Sequence, residues 1–374
     1  MFPESVRSRH RPASYVASME RRRLRDLGGS IGRLVVGPNN SIADVAGVTV
    51  GHSTVVYDEP RVARTGVTVV HTRPEGRRAD LCFGAMHSFN GNGEMTGSHW
   101  LAESGLLAGP IGITNTHQVG VVRDELVRWQ VERNPITEWC LPIVGETYDG
   151  YLNDINGFHV TASHVREALA DADSGRPVAE GCVGGGTGMI CHEFKGGIGT
   201  SSRVVNAAGA PYTVGALVQA NYGSRDLLRL DGRRVGHVLG ADVAPLAEEP
   251  LAADAGSIIV VLATDAPLLA DQCKRLAQRA TVGVARVGGV GSDSSGDIFL
   301  AFSTGNSVAE DAEAPVPLLA LPHHEMTPLF EAAAEAVEEA IWNAMCMAHT
   351  TTGHLGRVVH AVPLDALGAI VELD

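Results

Sequence analysis

The chain has 374 residues, of which 44% are apolar, so it can bury a large core as one large domain or two ordinary ones. Its 44 glycines and 5% aromatic content favour a sheet-rich interior of small residues over a helical bundle. A formal net charge of −14 argues against nucleic acid as the main partner, because phosphate binding needs a basic face.

The chain begins with an arginine-rich arm, residues 1–26. No apolar stretch of the secretory type follows these arginines, so we expect a solvated, mobile extension rather than a signal peptide. Residues 27–374 contain strand and helix patterns in both halves and no clean linker. We expect them to form a single layered domain of packed sheets flanked by helices.

Strands are predicted over residues 41–52 and 65–71, where β-branched residues alternate with small ones and glycines punctuate the pattern. Residues 121–133 place apolar side chains among charges, which is typical of a surface helix. This part of the chain therefore predicts two strands followed by a helix.

A glycine-dense middle follows, residues 181–189, and then a predicted hairpin over 194–205 and a strand over 212–221. The glycines match no phosphate-binding loop, and we interpret them as places where backbones pass close together. Residues 224–256 are polar, alanine-rich and interrupted by proline, a composition that predicts a long surface loop.

The last third predicts a buried strand over 257–264, a helix that Pro267 opens, and a strand over 297–304 after a glycine-serine turn. A long helix is expected from Thr327 to about Met347. Thr327 suits its N-cap, and a proline follows at the first helical position.

The junction of Gly256 and Ser257, directly before the buried strand, carries the main functional hypothesis. A serine hydroxyl needs a base to take its proton. If the bond between the two residues were cut, Ser257 would gain an α-amine with a pKa of about 7.7–8.0, against about 10.4 for lysine. Such an amine lies next to the hydroxyl and can act as its general base. The competing interpretation is an ordinary loop glycine before a strand.

Two further groups of polar residues stand at strand ends. Ser295 and Asp297 begin a strand that, as a neighbour of the 257–264 strand, would bring a hydroxyl and its orienting carboxylate near Ser257. Asn221 ends another strand, where its amide could donate a hydrogen bond to an oxyanion. Each also has an ordinary explanation, as a turn-capping or turn-forming residue.

Glu146 and Tyr148 lie two residues apart. A carboxylate beside a phenol could bind a substrate ammonium and steady a reacting centre, although the same residues also suit a surface loop.

Six cysteines without a Cys-x-x-Cys pair predict reduced thiols in a cytoplasmic protein. His323, His324 and Glu325 lack the second histidine of a zinc-protease helix, so we expect no metal, and no motif predicts a cofactor. No apolar run approaches the length of a membrane span, so no membrane partner is expected either.

Taken together, these residues resemble the L-aminopeptidase/D-esterase (DmpA) family of N-terminal-nucleophile (Ntn) peptidases, which includes the β-peptidyl aminopeptidases. The resemblance runs from about residue 27 to about residue 368. The matching segments are Asn40–Val48 with Val50–His52, Arg64–Thr68, Gly91–Gly97, Phe194–Gly199, Gly256–Ser257, Ser295–Asp297 with Phe302–Thr304, and the helix from Phe330 to Ala340.

The resemblance implies a fold and an activity. The fold is α/β, a four-layer α-β-β-α sandwich similar to that of Ntn hydrolases but with its own connectivity. The precursor would cut itself between Gly256 and Ser257 into an α chain, 1–256, and a β chain, 257–374. Four processed protomers typically assemble into a homo-oligomer.

The resemblance also implies residue roles. Ser257 would be the nucleophile and, through its amine, the general base, assisted by Ser295 and Asp297. Asn221 would supply the oxyanion hole, Tyr148 would contact the reacting centre, and Glu146 would bind the free amine of a small or short-peptide substrate. Two alternatives remain at this stage: a non-catalytic binding or assembly member of the fold, and an acyltransferase of the related ornithine acetyltransferase type. The latter family carries threonine at the junction.

Overall fold

The computed structural model describes residues 20–73, 80–133, 139–245 and 256–372. The strands of the two large sheets are β1 (Thr49–Tyr57), β2 (Ala63–His71), β3 (Asp80–Gly91), β4 (Leu106–Leu107), β5 (Ile111–Asn115), β6 (Ile143–Thr147), β9 (Gly197–Ala207), β10 (Ala210–Asn221), β13 (Gly256–Thr264) and β14 (Ser295–Ala309). Short two-stranded ribbons pair β7 (Ile190–Cys191) with β8 (Phe194–Lys195), β11 (Arg229–Leu230) with β12 (Arg233–Arg234), and β15 (Thr351–Thr352) with β16 (Val358–Val359). The α-helices are α1 (Ser98–Ser104), α2 (Val119–Arg133), α3 (Ala162–Asp173), α4 (Ala270–Ala277), α5 (Ala280–Val287), α6 (Thr327–Met347) and α7 (Leu364–Val371).

The two large sheets have mixed strand directions. One has the order β1-β2-β5-β6, and the other has the order β4-β3-β14-β13-β10-β9. The pairs β5–β6 and β13–β14 are parallel, and the remaining pairs within these sheets are antiparallel. The two central strands β13 and β14 are separated in the chain by α4 and α5, which supply the crossover that a parallel pair needs.

Four layers follow from the way side chains alternate along each strand. Ile258 points into the core between the six-stranded sheet and helices α4 to α6, whereas its neighbour Ile259 points into the core between the two sheets. On the far side of the four-stranded sheet, a third core packs Val67 and Val69 against α2 and α3. The predicted α-β-β-α sandwich is confirmed.

Several predicted elements are present. The structure has strands over 65–71, 212–221, 257–264 and 297–304, some of them longer than predicted, and helices at 121–133 and 327–347. The last of these begins at Thr327 rather than after it, so the N-cap residue is Met326 and not Thr327. Patterns with a strong period therefore predicted the elements well, and their ends less well.

Three local predictions are wrong. Residues 42–44 form a 3-10 turn instead of the start of a strand, because the Ser41 hydroxyl accepts a hydrogen bond from Ala43 N–H and closes the turn locally. The hairpin predicted over 194–205 is a single long strand from Gly197, which pairs with β10 across a tight turn at 208–209.

The third wrong prediction is the helix from Pro267. It is two helices, α4 and α5, and the first begins only after Leu269, whose extended backbone N–H donates to the Gln272 side chain.

The loop predicted over 224–256 is described only in part. Residues 224–245 carry the β11–β12 ribbon, whereas 246–255, including most of the stretch that leads to Gly256, lie outside the described residues.

The N-terminal arm is described from residue 20, and this part is anchored rather than solvated. Arg21 Nε donates to the Cys346 carbonyl oxygen at 2.7 Å, at the end of α6. Leu24 is fully buried, and Arg25 makes two hydrogen bonds with Glu339, at 2.8 and 2.9 Å. The expectation of a mobile extension is therefore wrong for residues 20–26; residues 1–19 lie outside the described residues.

A buried ionic cluster joins this segment to α6. Arg203 of β9 is fully buried and pairs with Glu335 at 3.0 Å and with Glu339 at 2.7 Å. The arginines oppose the effect of burial, which would raise the pKa of Glu339, and they hold that pKa below its usual value. Helix α6 thus carries paired carboxylates through the core beside the six-stranded sheet.

Candidate active site

A cavity of about 750 Å³ opens where the ends of several strands meet. The described residues that line it are Gly91, Asn92, Gly93, Glu94, Thr116, Glu146, Tyr148, Gly150, Tyr151, Ile190, Asn221, Tyr222, Gly223, Gly256, Ser257, Ser294 and Arg357. Five residues selected from the sequence are among them: Glu146, Tyr148, Asn221, Gly256 and Ser257. A cavity of this size holds a small molecule or a short peptide.

The register of the six-stranded sheet sets the position of Ser257. This residue lies opposite Asn221 of antiparallel β10 and beside Gly296 of parallel β14. Its side chain is 4% exposed, and Oγ donates a hydrogen bond to the Gly256 carbonyl oxygen at 2.6 Å. The hydroxyl is therefore in direct contact with the carbonyl group of the peptide bond that precedes it.

Ser295 and Asp297 form a hydrogen-bonded pair at the start of the neighbouring strand β14. Ser295 Oγ donates to Asp297 Oδ1 at 2.7 Å, and both residues are buried. Burial raises the pKa of Asp297, while hydrogen bonds from Ser295 and from the Ile258 N–H oppose the rise. The bond to Asp297 belongs to Ser295, whereas Ser294 is the serine that lines the cavity.

The two groups lie on different faces of the sheet. By alternation, Ser257 shares the face of Ile259, toward the other sheet, and Asp297 shares the face of Phe299, toward the helices. Ser295 is paired with Gly256, so the Ser295–Asp297 pair lies beside the backbone that joins Gly256 to Ser257. Neither Ser295 nor Asp297 is among the residues that line the cavity.

Two hydrogen bonds fix the orientation of the Asn221 amide. Its Oδ1 accepts from the Ile190 N–H at 2.8 Å, and its Nδ2 donates to the Tyr148 carbonyl oxygen at 2.9 Å. An amide NH₂ group carries two hydrogens, so one more donor remains on the atom beside Ser257. The amide is thereby oriented with its nitrogen available to a negative oxygen.

Glu146 is the last but one residue of β6, is 4% exposed and lies at the wall of the cavity. Oε1 accepts from the Glu94 N–H at 3.0 Å, and Oε2 accepts from the Thr116 hydroxyl at 2.5 Å. Burial raises the pKa of Glu146, and these hydrogen bonds oppose the rise. A buried carboxylate held in this way can accept an ammonium group as a charged partner.

Close backbone contact brings Glu146 near the strand next to Ser257. A Cβ atom on Gly93 would lie 3.2 Å from Glu146 Oε1 and 3.2 Å from Gly296 Cα. A Cβ atom on Gly296 would lie only 2.4 Å from the Asn92 carbonyl oxygen. Glycine at both positions lets the loop after β3 pack directly on β14, so that the carboxylate reaches the site.

Tyr148 lies on the turn after β6 and is 51% exposed. The next residue, Asp149, is buried and accepts a hydrogen bond from Asn153 Nδ2 at 3.0 Å. Burial raises the pKa of Asp149 to about 6, against opposing hydrogen bonds from Thr65, Asn153 and Asn115. Asp149 therefore anchors the turn that presents Tyr148 and Tyr151 to the cavity.

Sequence reasoning missed Lys195. Its ammonium is fully buried and donates to the carbonyl oxygens of Met189 at 2.9 Å, Gly196 at 3.0 Å and Gly186 at 3.5 Å. Burial lowers the pKa of this lysine. The lysine holds the turn that precedes Ile190, whose N–H orients Asn221. The sequence signal was a lone lysine inside a glycine-rich motif.

No group of three or more histidine, cysteine, aspartate or glutamate residues in the described part of the chain is arranged to hold a metal ion. Over the same residues, no helix is both long and apolar enough to cross a membrane.

Comparisons with known proteins agree on one group of enzymes. The sequence profile of peptidase family S58 matches residues 40–359. The β-peptidyl aminopeptidase BapA of Sphingosinicella microcystinivorans is 46% identical over 372 residues, covering 95% of this chain and 93% of that protein.

Two solved structures are also similar. A β-aminopeptidase from Burkholderia sp. superposes with a TM-score of 0.86 at 50% identity, covering 94% of this chain and 99% of the other. The L-aminopeptidase D-Ala-esterase/amidase of Ochrobactrum anthropi, described as a prototype serine aminopeptidase with a variant of the Ntn hydrolase fold, gives 0.85 at 44% identity, covering 94% and 98%.

Proposed function

Because the chain belongs to peptidase family S58, we propose that Ser257 is the nucleophile both of a self-cleavage after Gly256 and of the amide hydrolysis that follows. The protein is a serine aminopeptidase with the Ntn hydrolase fold. The observation that best supports the proposal is the position of the Ser257 hydroxyl. It lies 2.6 Å from the Gly256 carbonyl oxygen, opposite the oriented amide of Asn221.

In the self-cleavage, Ser257 Oγ attacks the Gly256 carbonyl carbon. The C–N bond to Ser257 breaks, the proton of the Ser257 hydroxyl passes to the departing nitrogen, which becomes a free amine, and an ester joins Gly256 to Oγ. Water then hydrolyses the ester and leaves a carboxylate on Gly256 and the hydroxyl on Ser257. Glycine suits this position, because a Cβ there would lie 3.1 Å from Tyr222 Cα, a contact tighter than side chains usually make.

After cleavage the Ser257 amine acts as the base. It takes the proton from Oγ as the hydroxyl attacks the substrate carbonyl, and it returns that proton to the leaving amine. Ser295 and Asp297, which lie beside the backbone of the junction, are proposed to position this amine and to stabilise its ammonium form. Asn221 is proposed to donate to the oxyanion, a contact worth about 2.7–4 kcal/mol where such donors have been removed.

The substrate is proposed to be a short peptide, amino-acid amide or ester with a free amine. Glu146 would bind that amine, since it lines the cavity and two hydrogen-bond donors hold its carboxylate in place. Tyr148 would contact the reacting centre from the turn after β6. The similarity of the chain to β-peptidyl aminopeptidases favours, among these substrate classes, those with an N-terminal β-amino acid.

We also propose how the two chains of the mature protein associate and where the protein is located. Chains 1–256 and 257–374 would stay together, because β13 is paired on both sides within the six-stranded sheet. All six cysteines are free, which is consistent with a reducing, cytoplasmic location. Exposed apolar residues at Trp100, Trp139 and Leu141 would suit a contact between protomers of a homo-oligomer such as a tetramer.

The two alternatives differ in what the site would contain. A non-catalytic member would not need Asn221 to be held on both sides with a spare donor beside a serine hydroxyl. An acyltransferase is disfavoured by serine at the junction and by the similarity to peptidases.

The test of turnover is hydrolysis of p-nitroanilides and dipeptides with an L-, D- or β-amino acid at the N-terminus. The wild-type protein should release the N-terminal residue from at least one series, and Ser257→Ala should release it from none. Full activity of Ser257→Ala would contradict the proposal. An acyl-transfer assay with ornithine as acceptor separates the transferase alternative.

A further inference from the structure

The turn after β6 brings Tyr148 and Gly150 to the cavity side by side. Both residues line the cavity, and Tyr148 is 51% exposed. A Cβ atom on Gly150 would collide with Oη and Cζ of Tyr148 and would lie 2.8 Å from its Cε2. Carbon atoms of packed side chains do not approach one another so closely. The phenol of Tyr148 therefore lies directly against the Cα atom of Gly150.

This packing contact sets the position of the phenol. Among the residues that the structure describes, Asn221 bonds to the Tyr148 carbonyl oxygen, and none forms a hydrogen bond with the Tyr148 hydroxyl. A hydroxyl that the described residues do not engage is able to donate to a substrate group. The surface of Gly150, rather than a hydrogen bond within this part of the chain, thus determines where the hydroxyl lies.

Hydrogen bonds fix the backbone beneath the ring. The Asp149 carbonyl oxygen accepts from the Leu152 N–H at 3.1 Å, and the Tyr148 carbonyl oxygen accepts from Asn221 Nδ2 at 2.9 Å. Gly150 is not among the residues with a positive φ, so the backbone there can accept an alanine without strain. A methyl group at position 150 would therefore displace the end of the Tyr148 side chain, which moves more easily than a hydrogen-bonded turn.

We propose that Gly150 is a positioning residue, whose missing side chain keeps the Tyr148 phenol in the place from which it contacts the reacting centre. This rests on the proposed function, in which Tyr148 makes that contact. A displacement of about 1 Å in a group that acts on the reaction can lower the rate by about 100-fold. A methyl group at position 150 would thus slow the reaction through the tyrosine.

The first test measures kcat and KM of the processed enzyme on a p-nitroanilide that the wild-type protein hydrolyses. Gly150→Ala should lower kcat by about 10- to 100-fold and change KM less. The matched control is Gly120→Ala, the same exchange on α2, where a Cβ atom would meet nothing within 4 Å. It should keep the wild-type kcat. A wild-type kcat in Gly150→Ala, beside a slow Tyr148→Ala, would overturn the positioning role and leave the proposed function intact.

A double-mutant cycle shows whether Gly150 acts through Tyr148. In a Tyr148→Ala background the ring is gone, so adding Gly150→Ala should change kcat by no more than about twofold. The same loss of kcat in both backgrounds would contradict the proposal, because the methyl group would then act on the turn or on the substrate itself. A wild-type kcat in Tyr148→Ala would refute the role of Tyr148 and, with it, the effect of Gly150 on the reaction.

Fluorine NMR of the full chain labelled with fluorotyrosine reports the ring position without turnover. The chain has six tyrosines, and the resonance of Tyr148 is the one lost in Tyr148→Phe. Gly150→Ala should shift or split this resonance, whereas Gly120→Ala should leave it in place. A shifted resonance would support the packing contact even if no tested amide were hydrolysed. An unchanged resonance in Gly150→Ala would rule the contact out.

Discussion

Replacement of Asn221 by alanine should slow both self-cleavage and turnover. The side chain makes two hydrogen bonds, from the Ile190 N–H at 2.8 Å and to the Tyr148 carbonyl at 2.9 Å, and its remaining hydrogen lies beside Ser257. Alanine removes the oxyanion donor and leaves two buried backbone groups without their partner. The two losses act on different quantities, and this allows them to be measured separately.

The loss of the donor should reduce kcat by about 10²- to 10³-fold, which corresponds to about 2.7–4 kcal/mol of transition-state stabilisation. The unpaired backbone groups should lower the free energy of unfolding by about 1–3 kcal/mol. Asn221→Asp separates these effects, because its carboxylate still accepts from Ile190 N–H but cannot donate. The kcat of Asn221→Asp should fall as far as that of Asn221→Ala, while the hydrogen bond from Ile190 N–H is kept.

The assays are denaturing electrophoresis over time for self-cleavage, steady-state kinetics on the processed fraction for kcat, and urea unfolding for stability. Gln219 provides the matched control, since it is a buried amide on the same strand with hydrogen bonds to Thr114 and Thr147 but does not line the cavity. Gln219→Ala should lose stability and keep kcat within about tenfold of wild type. If Asn221→Ala keeps kcat within the same tenfold range, the oxyanion role of Asn221 is refuted.

Three further substitutions test other parts of the account. Glu146→Gln should raise KM by about 10- to 100-fold with a smaller effect on kcat. Because burial raises the pKa of Glu146, the wild-type KM should begin to rise on acidification at a higher pH than an ordinary glutamate would give. An equal rise in KM for substrates with and without an amine would contradict this role. Asp297→Asn should move the acidic limb of kcat/KM down by about one pH unit, because loss of a nearby carboxylate lowers the pKa of the Ser257 amine; an unmoved limb would argue against contact with the amine. Arg203→Met should lower the free energy of unfolding by about 3–5 kcal/mol, because it leaves two buried carboxylates short of a partner; in urea unfolding, Arg203→Met with Glu339→Gln should recover part of that loss, and no recovery would assign the effect to packing alone.

The sequence predicted best where local pattern and position in the sheet agree. Ser257 and Asn221 each stand at the end of an apolar strand, so their meeting required only that the two strands be neighbours. The register pairs them directly. Ser295 and Asp297 stand two residues apart on one strand and so share a face, which allows the hydrogen bond between them.

The rest depended on long-range contacts, which spacing does not encode. Arg25 belongs to an arm whose many arginines predict exposure to solvent. In the fold it binds Glu339, which lies 314 residues away in the sequence. Lys195 is buried by carbonyl groups that only the folded turn brings together. Arg357 reaches the cavity because its segment is hydrogen-bonded to the turn after β6. Burial of charge is set by tertiary structure, and a local pattern indicates it poorly.

The sequence alone also did not predict the face of the sheet on which the Ser295–Asp297 pair lies. A hydroxyl and a carboxylate near a serine suggest proton transfer from the serine oxygen. Side chains alternate between the two faces of a sheet, however, and this places Ser295 and Asp297 on the face opposite the Ser257 side chain, beside the backbone of the junction. This placement favours an action on the Ser257 nitrogen.

Intact mass spectrometry with N-terminal sequencing of the purified protein and of Ser257→Ala is the most direct test of cleavage at the junction. The account predicts that the wild-type protein yields two chains, 1–256 and 257–374, with the second beginning Ser-Ile-Ile-Val-Val, and that Ser257→Ala remains one chain. A wild-type preparation that hydrolyses amides while its chain remains uncut would contradict it.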